Sequence, residues 1–520
     1  MKKGILSLAV IGSAFLAQAQ LPEDALRYGF PLTGGTARNQ AIGGVMASLG
    51  GDISAAHINP AGIGLYKNAE FVLSPNFNML RNKYDYRGNN TASNENGIGY
   101  GTSGFVVGKM LGRGHSAKSS AFAITINQLA NYRANLQYSG VNNNSSWTEQ
   151  YLEQATRDLA GQSIPNIVNG LANNYIFGTS LAFDTYLIDT FMNNGQLGLE
   201  SMVPIGQGAG IRQINNVRTT GGAHEVALSF GNNYADRLHL GMSIGIPFYQ
   251  YNRTQTFREE DLSGNTNNDF NFFEFEENYS SRGVGINAKL GLIYRPADRV
   301  RLGLALHTPT FGGFTDNQRA RITADTERKT NLPQPLTTTS DDLRGNSNAG
   351  NYEYNLTTPY RVIGSVAFVL NEVKDITKQK GFISADVEYV NYRGVRFGAA
   401  DPTNTDDVRY YADLNSIIKE RYKGALNFKV GGELKFKTIM GRAGFAYYGS
   451  PFALKDLRTT RMLLSGGLGY RHHGFFIDAT YVHGIFREKN VPYYLTDKPS
   501  PIADGRNTRG NVVVTFGVKI

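Results

Sequence analysis

Asp386 and Glu388 stand two residues apart in "FISADVEYV", residues 382–390. On a strand this spacing puts both carboxylates on one face. Two close carboxyls can share acid and base work. They can equally line a wet interior, and that is the reading adopted here. Other chemistry-bearing residues fall away on spacing. His472 and His473 are adjacent in a predicted turn, so their side chains diverge and make poor joint metal ligands. "GQGAGI", 206–211, lacks the strand–turn–helix context of a dinucleotide loop. A lone His57 is thin support for haem ligation. No Gly-x-Ser-x-Gly elbow occurs, which removes the lipase and esterase reading. The chain has no cysteine, which excludes disulfides, thiolate metal sites and a lipidated N-terminal Cys. The expectation is a protein that is not an enzyme and carries no metal or cofactor.

The elements that position these residues are strands. The 520 residues include 60 Gly, 29 Tyr and 29 Phe, a balance that favours β-structure with many turns. The formal charge is +9, but Lys and Arg are scattered, so no nucleic-acid partner is expected. Lys2-Lys3, the apolar run 4–17 and "AQA" at 17–19 form a secretory signal peptide, residues 1–19. Without those two lysines the charge is +7. No later run reaches the roughly 18 apolar residues of a membrane helix.

Alternation with period two dominates the rest. In "GNVVVTFGVKI", Val512, Val514, Phe516, Val518 and Ile520 share one face. Leu426, Phe428, Val430, Leu434 and Phe436 oppose Asn427, Lys429, Glu433 and Lys435. The alternating runs exceed the 5–6 residues usual in soluble strands. Fourteen strands are expected, beginning near residues 70, 99, 119, 222, 237, 282, 299, 358, 381, 424, 438, 460, 474 and 510. Short connectors (such as 232–236, 296–298 and 435–437) alternate with long ones (81–98, 139–221, 257–281, 309–357, 398–423, 449–459 and 489–509). This is the asymmetry of an outer-membrane barrel. The expected fold is therefore all-β, a transmembrane antiparallel barrel of about fourteen strands spanning 70–520. Its apolar face meets lipid, and Lys289, Asp386, Glu388, Lys429, Glu433 and Asp478 face the lumen. Such a lumen is wider than its own side chains fill. Residues 20–69, with the small-residue stretch "SLGGDISAAHINPAGIG" at 48–64, are read as a hatch inside it. In the largest loop, 145–177 carries a Ser146–Glu149 capping box and is expected to be helical, as is 414–422.

Residues 35–64, "RLGLALHTPTF" (301–311), "GRAGFAYYGSPF" (441–452) and the last strand together resemble the FadL-type outer-membrane transporters of long-chain fatty acids and other hydrophobic molecules. The long loop and tyrosine-rich strands look like versions from Bacteroidetes-type bacteria, where some relatives are labelled haemin receptors and one branch serves protein secretion. The resemblance implies a passive route in the bacterial outer membrane. A hydrophobic ligand is caught by external loops, enters an apolar lumenal pocket, waits on the hatch, and leaves sideways at a kinked third strand. Carried onto this chain, the hatch turn is Asn59, Pro60, Ala61 and Gly62. The third strand is 119–138, whose alternation falters at Asn127–Asn131, making Asn127, Gln128 and Asn131 the expected opening. The expected partners are a hydrophobic small molecule, outer-membrane lipid and lipopolysaccharide, with the protein a monomer. The alternatives are a binding or adaptor barrel for a secretion partner, and haemin uptake.

Overall fold

The architecture comes from a computed structural model, which describes residues 22–29, 34–112, 115–206, 210–344, 350–371, 380–453 and 459–520. The signal-peptide segment 1–19 lies outside the described residues. Fourteen antiparallel wall strands close into one barrel. They are β1 (Glu70–Leu73 and Pro75–Tyr86), β2 (Asn89–Tyr100 and Ser103–Met110), β3 (Ser119–Asn131 and Ala134–Asn142), β4 (Ile211–Tyr234), β5 (Leu238–Asp261), β6 (Phe272–Ala297) and β7 (Val300–His307 and Phe311–Asp325). The circuit continues through β8 (Asn351–Thr357 and Arg361–Leu370), β9 (Gly381–Asn391 and Arg396–Ala399), β10 (Gly424–Phe436), β11 (Ile439–Tyr448), β12 (Thr460–His472), β13 (Phe475–Asn490) and β14 (Ala503–Lys519). Each strand pairs with its sequence neighbours, and β14 returns to β1 through Phe71↔Val518 and Phe77↔Val512.

The alternation sorts side chains as a lipid-facing wall requires. Leu240, Met242, Ile244, Ile246 and Phe248 on β5 are exposed, as are Leu426, Phe428, Val430, Leu434 and Phe436 on β10. Their neighbours Ser243, Asn427, Lys429 and Glu433 are buried inside. A soluble fold would bury the first set. Here water is replaced by hydrocarbon, and closure of the sheet leaves no unpaired edge in it. Among the described residues no helix is long and apolar enough to cross a membrane, so strands make the crossing. The molecule is an outer-membrane β-barrel.

The wall is taller than the sequence suggests. Strands that descend from the outside begin earlier than expected: β2 at 89 rather than 99, β4 at 211 rather than 222, β6 at 272 rather than 282, β8 at 351 and β14 at 503. The predicted loop 81–98 is a β-hairpin closed by Arg87 (φ 54°) and Gly88 (φ 80°). Both central residues of such a two-residue turn need positive φ, which Gly supplies without strain. Above the bilayer the outer face is polar, so these extensions lack the apolar alternation that marks the membrane part.

The outer mouth is covered by a cap. Residues 149–158, 164–173 and 179–184 are helices, followed by the hairpin Ile188–Asn193/Gln196–Ser201. The third helix and the hairpin lie beyond the helical segment expected from sequence. A further loop helix runs Thr405–Arg421, longer than the expected 414–422, because Asn404 caps it by accepting from the amides of Asp406 and Asp407.

Val430 sits near the middle of the apolar face of β10. Val430→Arg is expected to lower barrel stability by about 2–4 kcal/mol, read from the urea midpoint in liposomes. Thr254→Arg, on the polar upper wall of β5, is expected to leave that midpoint nearly unchanged.

Candidate functional site

The hatch is held by backbone contacts with a wall that has been cleared for it. A Cβ built on Gly241 would lie 2.3 Å from the Pro60 carbonyl, one on Gly303 2.0 Å from the Ala47 carbonyl, and one on Gly431 2.1 Å from the Ile42 carbonyl. One on Gly444 would lie 2.1 Å from the Gly43 amide nitrogen. Inward glycines on β5, β7, β10 and β11 thus let the hatch backbone press on the sheet. Between these points Ile42, Val45, Met46 and Ile63 pack against Ala121, Ala123, Ala305 and Ala367.

The four predicted hatch residues act as one unit. Asn59 accepts from the Ala61 amide at 3.1 Å and so caps the 3₁₀ turn Pro60–Leu65, with Pro60 first in the turn. The Asn59 amide group donates to the carbonyls of Ala47 (2.5 Å), Leu292 (3.1 Å) and Leu304 (3.4 Å). It therefore ties two hatch segments to β6 and β7. Gly62 lies against Gly50, where a Cβ would come within 2.9 Å of the Gly50 Cα.

Charged pairs fix the hatch further. His57 Nδ1 meets Glu225 at 2.9 Å, and the Thr125 hydroxyl meets His57 Nε2 at 2.8 Å. Lys289 donates to the same Glu225 oxygen at 2.6 Å, and Asn287 donates to the other at 2.8 Å. With both ring nitrogens engaged, His57 is a link between hatch and wall and is not placed to ligate haem. Asp386 accepts from the amides of Met46 and Ala47 at 3.2 and 3.3 Å. Glu388 pairs instead with Lys429 at 3.1 Å and Arg361 at 3.4 Å. Asp386 and Glu388 therefore serve different partners and do not form an acid/base couple. His473, at φ 44°, and Gly474 form the turn between β12 and β13. Residues 207–209 of the glycine-rich stretch lie outside the described residues.

Above the latch lies a chamber with about 510 Å³ of empty space, including solvent at its mouth. With the hatch seated its enclosed free volume is about 40 Å³, room for a few waters and well below the usual size of small-molecule sites. The resemblance implies an apolar pocket, but the lining is divided. Leu129, Ala130, Tyr132, Tyr249 and Pro359 are its apolar and aromatic members, while Arg27, Lys289, Arg361 and Glu225 supply charge. The helix Pro22–Gly29 contributes Arg27, Tyr28 and Gly29 to the lining. Its Arg27 pairs with Asp24 and lies 3.8 Å from the centre of the Tyr251 ring.

The chamber touches a break in the wall. β2 pairs with β3 only from Ser103↔Ile126 to Met110↔Ser119. Among the described residues no backbone ladder joins Asn89–Tyr100 to the rest of β3. The register of β3 on β4 shifts between Gln128 and Ala130, and the strand breaks before Ala134. Side chains span the gap: Asn82 and Ser93 donate to the Asn135 carbonyl at 2.6 and 2.5 Å, and Arg133 meets Glu95 at 3.3 Å. Asn127 accepts from Thr102 at 2.9 Å, and Asn131 from the Arg133 amide at 2.9 Å. A Cβ on Gly34 would lie 2.3 Å from the Gln128 carbonyl, and one on Gly101 2.0 Å from the Gly35 carbonyl. The start of the hatch therefore runs along the inner side of this break. Sequence reasoning singled out the Asn59–Gly62 turn and the irregular stretch of β3. It missed the glycine ring and the His57–Glu225–Lys289 latch, whose members lie on separate elements. Glycines on the polar face of alternating strands were the available signal.

No protein-family model matches the chain, and no curated protein matches it. Among solved structures it is similar to a FadL homologue from Pseudomonas aeruginosa, at 14% identity over 94% of this chain and 99% of that one, with a TM-score of 0.54. It is also similar to the toluene transporter TodX of P. putida, at 13% identity over 94% and 99%, with a TM-score of 0.51. The chain thus has the FadL-type barrel fold with its lumen plugged by the N-terminal segment.

Asn59→Ala removes the tie between hatch and wall. Side-chain hydrogen bonds contribute about 1 kcal/mol each. Loss of the two bonds to the wall carbonyls should speed hydrogen exchange of the hatch amides roughly 30-fold, with the barrel still folded.

The cap carries a titratable contact. Glu259 lies eleven residues beyond Phe248, the last exposed apolar residue of β5, roughly 35 Å along the strand and well outside the bilayer. It is fully buried and accepts from the Ser146 hydroxyl (2.6 Å), the Trp147 amide (2.9 Å) and Gln213 (2.6 Å). Burial pushes its carboxyl up to about 7 despite these donors. A raised acid binds its proton more tightly in the folded state, so cap stability is full below about pH 4.5 and falls as pH rises through about 7. The expected loss is up to about 3 kcal/mol. Trp147, the sole tryptophan, reports it by fluorescence, and Glu259→Gln should flatten the slope.

Proposed function

We propose that this barrel passes hydrophobic small molecules across the outer membrane by diffusion, gated by the hatch, with sideways release toward lipid between β2 and β3. The observation that carries the reading is the chamber's position. It borders the hatch latch through Glu225 and Lys289, and the unpaired stretch of wall through Leu129, Ala130 and Tyr132. A solute there meets an apolar and aromatic side that leads toward lipid. The gap begins where Gln128 lies opposite His224, level with Phe248, at the outer edge of the apolar belt. Ile98, on the β2 side of the gap, is 83% exposed, which gives an apolar lip. The divided lining favours an amphipathic solute, with its tail against Leu129 and Tyr249 and its polar end toward Arg27, Lys289 and Arg361. Long-chain fatty acids have this character. A structural neighbour is a toluene transporter, in keeping with a hydrophobic cargo.

Asn59, Pro60, Ala61 and Gly62 are the gate in this reading, since the turn spans the hatch and both adjoining strands. Asn127, Gln128 and Asn131 shape the opening. No energy source is needed, because an apolar solute moves down its own gradient and a latch of hydrogen bonds exchanges thermally.

Two variants test the scheme. Ser48 and Ser384 hydroxyls lie 3.3 Å apart across the hatch–wall boundary. Ser48→Cys with Ser384→Cys should form a disulfide that abolishes uptake of radiolabelled oleate, and reduction should restore it. Ala130→Trp fills the gap and should lower uptake at least tenfold without changing folding. Unchanged uptake by the oxidised staple would sink the gating hatch. Normal uptake by Ala130→Trp would remove the sideways exit.

A further inference from the structure

A second cluster lies at the opposite end of the lumen, below the hatch. His239 on β5 is 1% exposed, and neither ring nitrogen has a hydrogen-bond partner. Arg295 and Arg301 flank it from the neighbouring strands β6 and β7, whose ladders bring Leu238 opposite Tyr294 and Tyr294 opposite Leu302. The Nε atoms of both arginines are buried without partners. Their remaining contacts are to backbone carbonyls: Arg295 donates to Asp236 at 3.1 Å and Arg301 to Leu49 of the hatch at 3.0 Å. Among the described residues neither guanidinium has a carboxylate in ion-pair contact. Lys67, just after the hatch turn, adds positive charge near His239. Asp236, a carboxylate nearby, is engaged by Lys118 and by Asn233, the latter at 2.8 Å. Cations are thus gathered around a buried imidazole, with guanidinium N–H groups unspent. Unpaired buried donors are costly, and guanidinium forks fit the oxygens of carboxylate and phosphate.

We propose that Arg295, Arg301 and His239 form an oxyanion site on the periplasmic side of the hatch, which takes a carboxylate or a phosphate group. It is separate from the upper chamber, since none of the three residues lines that space. It also reaches the hatch: Arg301 holds the Leu49 carbonyl, so an anion on Arg301 competes with that bond. The oxygens come either from the head group of an amphipath that has passed the hatch or from free phosphate in the periplasm.

The mature protein, in neutral maltoside micelles with labelled histidine, provides the test. The probes are inorganic phosphate, acetate and decanoate, and the readout is the His239 ring signal, assigned by its loss in His239→Gln. The expected result is a saturable shift of this signal, weakened at least tenfold by Arg301→Gln and by Arg295→Gln. Arg301→Lys should recover part of the affinity. Folding of each variant is checked by heat-modifiable migration, and the intact His57 signal shows that the hatch is seated. Decanoate acting at concentrations at least tenfold below acetate marks the site as a head-group site. Phosphate binding tighter than both carboxylates marks free phosphate as the occupant. No shift with any probe, or a shift unchanged in the folded Arg295→Gln/Arg301→Gln double variant, overturns the proposal. Loss of the transport reading would leave this test intact, because it measures binding and not uptake.

Discussion

A backbone amide in hydrocarbon has no water to fall back on, so each must find a partner within the protein. Everything else in this molecule follows from that demand. It forces the strands to close into a ring and so turns the apolar faces of β5 and β10 outward. It leaves a lumen too wide for its own side chains, so a separate segment must fill it. It also makes any lapse in the ladder conspicuous. The lapse between β2 and β3 starts at the outer edge of the apolar belt, where polar side chains and water can replace lost backbone bonds. Asn82 and Ser93 do this at the Asn135 carbonyl, and Asn89 does it at Ser139. A gap deeper in the hydrocarbon would not be stable, while one at this level is tolerable.

The hatch obeys the opposite logic. It could have been fixed by a large apolar core, but its apolar residues meet mostly alanines on the wall, and much of its grip is polar. Asn59 on strand carbonyls, Asp386 on two hatch amides and His57 on Glu225 each contribute modestly once exchange with water is counted. Contacts of this kind can be swapped for water one at a time as a route opens. A purely apolar seal would have to break at once, exposing greasy surface to a wet lumen. Glu225 and Lys289 belong to both the latch and the chamber, so the same charges serve the hatch and the space above it.

Much of the wall was legible in the sequence, because lipid exposure writes a period of two. Val512, Phe516, Leu426 and Phe428 announced their faces, and the number of strands followed from counting such runs. The unread parts share a cause. Where β4, β5, β6 and β14 rise above the bilayer, their outer face meets water, so residues such as Thr254 and Arg258 on β5 and Glu274 on β6 blur the alternation. The hairpin at Arg87–Gly88 was hidden by the same polar composition. The hatch was legible from position and from the Asn-Pro-Ala-Gly turn, since small residues ahead of a first strand have few other uses. Its anchoring was not legible. Gly241, Gly303, Gly431 and Gly444 are scattered over more than two hundred residues, and only the closed barrel brings them to one belt.

Charge placement in the lumen follows from burial as well. Taking a charge out of water is costly unless a partner replaces the solvent. The middle of the barrel meets this condition, with Glu433 held by Arg38 and Arg442, Asp478 by Arg442, and Glu388 by Lys429. The two ends differ. Toward the outside, Arg27 rides on a helix whose surroundings are tyrosines, so its charge is balanced by Asp24 and by ring faces that other flat or apolar groups can also occupy. Toward the periplasm, Arg295 and Arg301 rest on carbonyl oxygens, with guanidinium nitrogens left over. Charge is therefore met by charge along the seated hatch and by neutral oxygens beneath it, while Asp478 keeps one carboxylate oxygen without a donor.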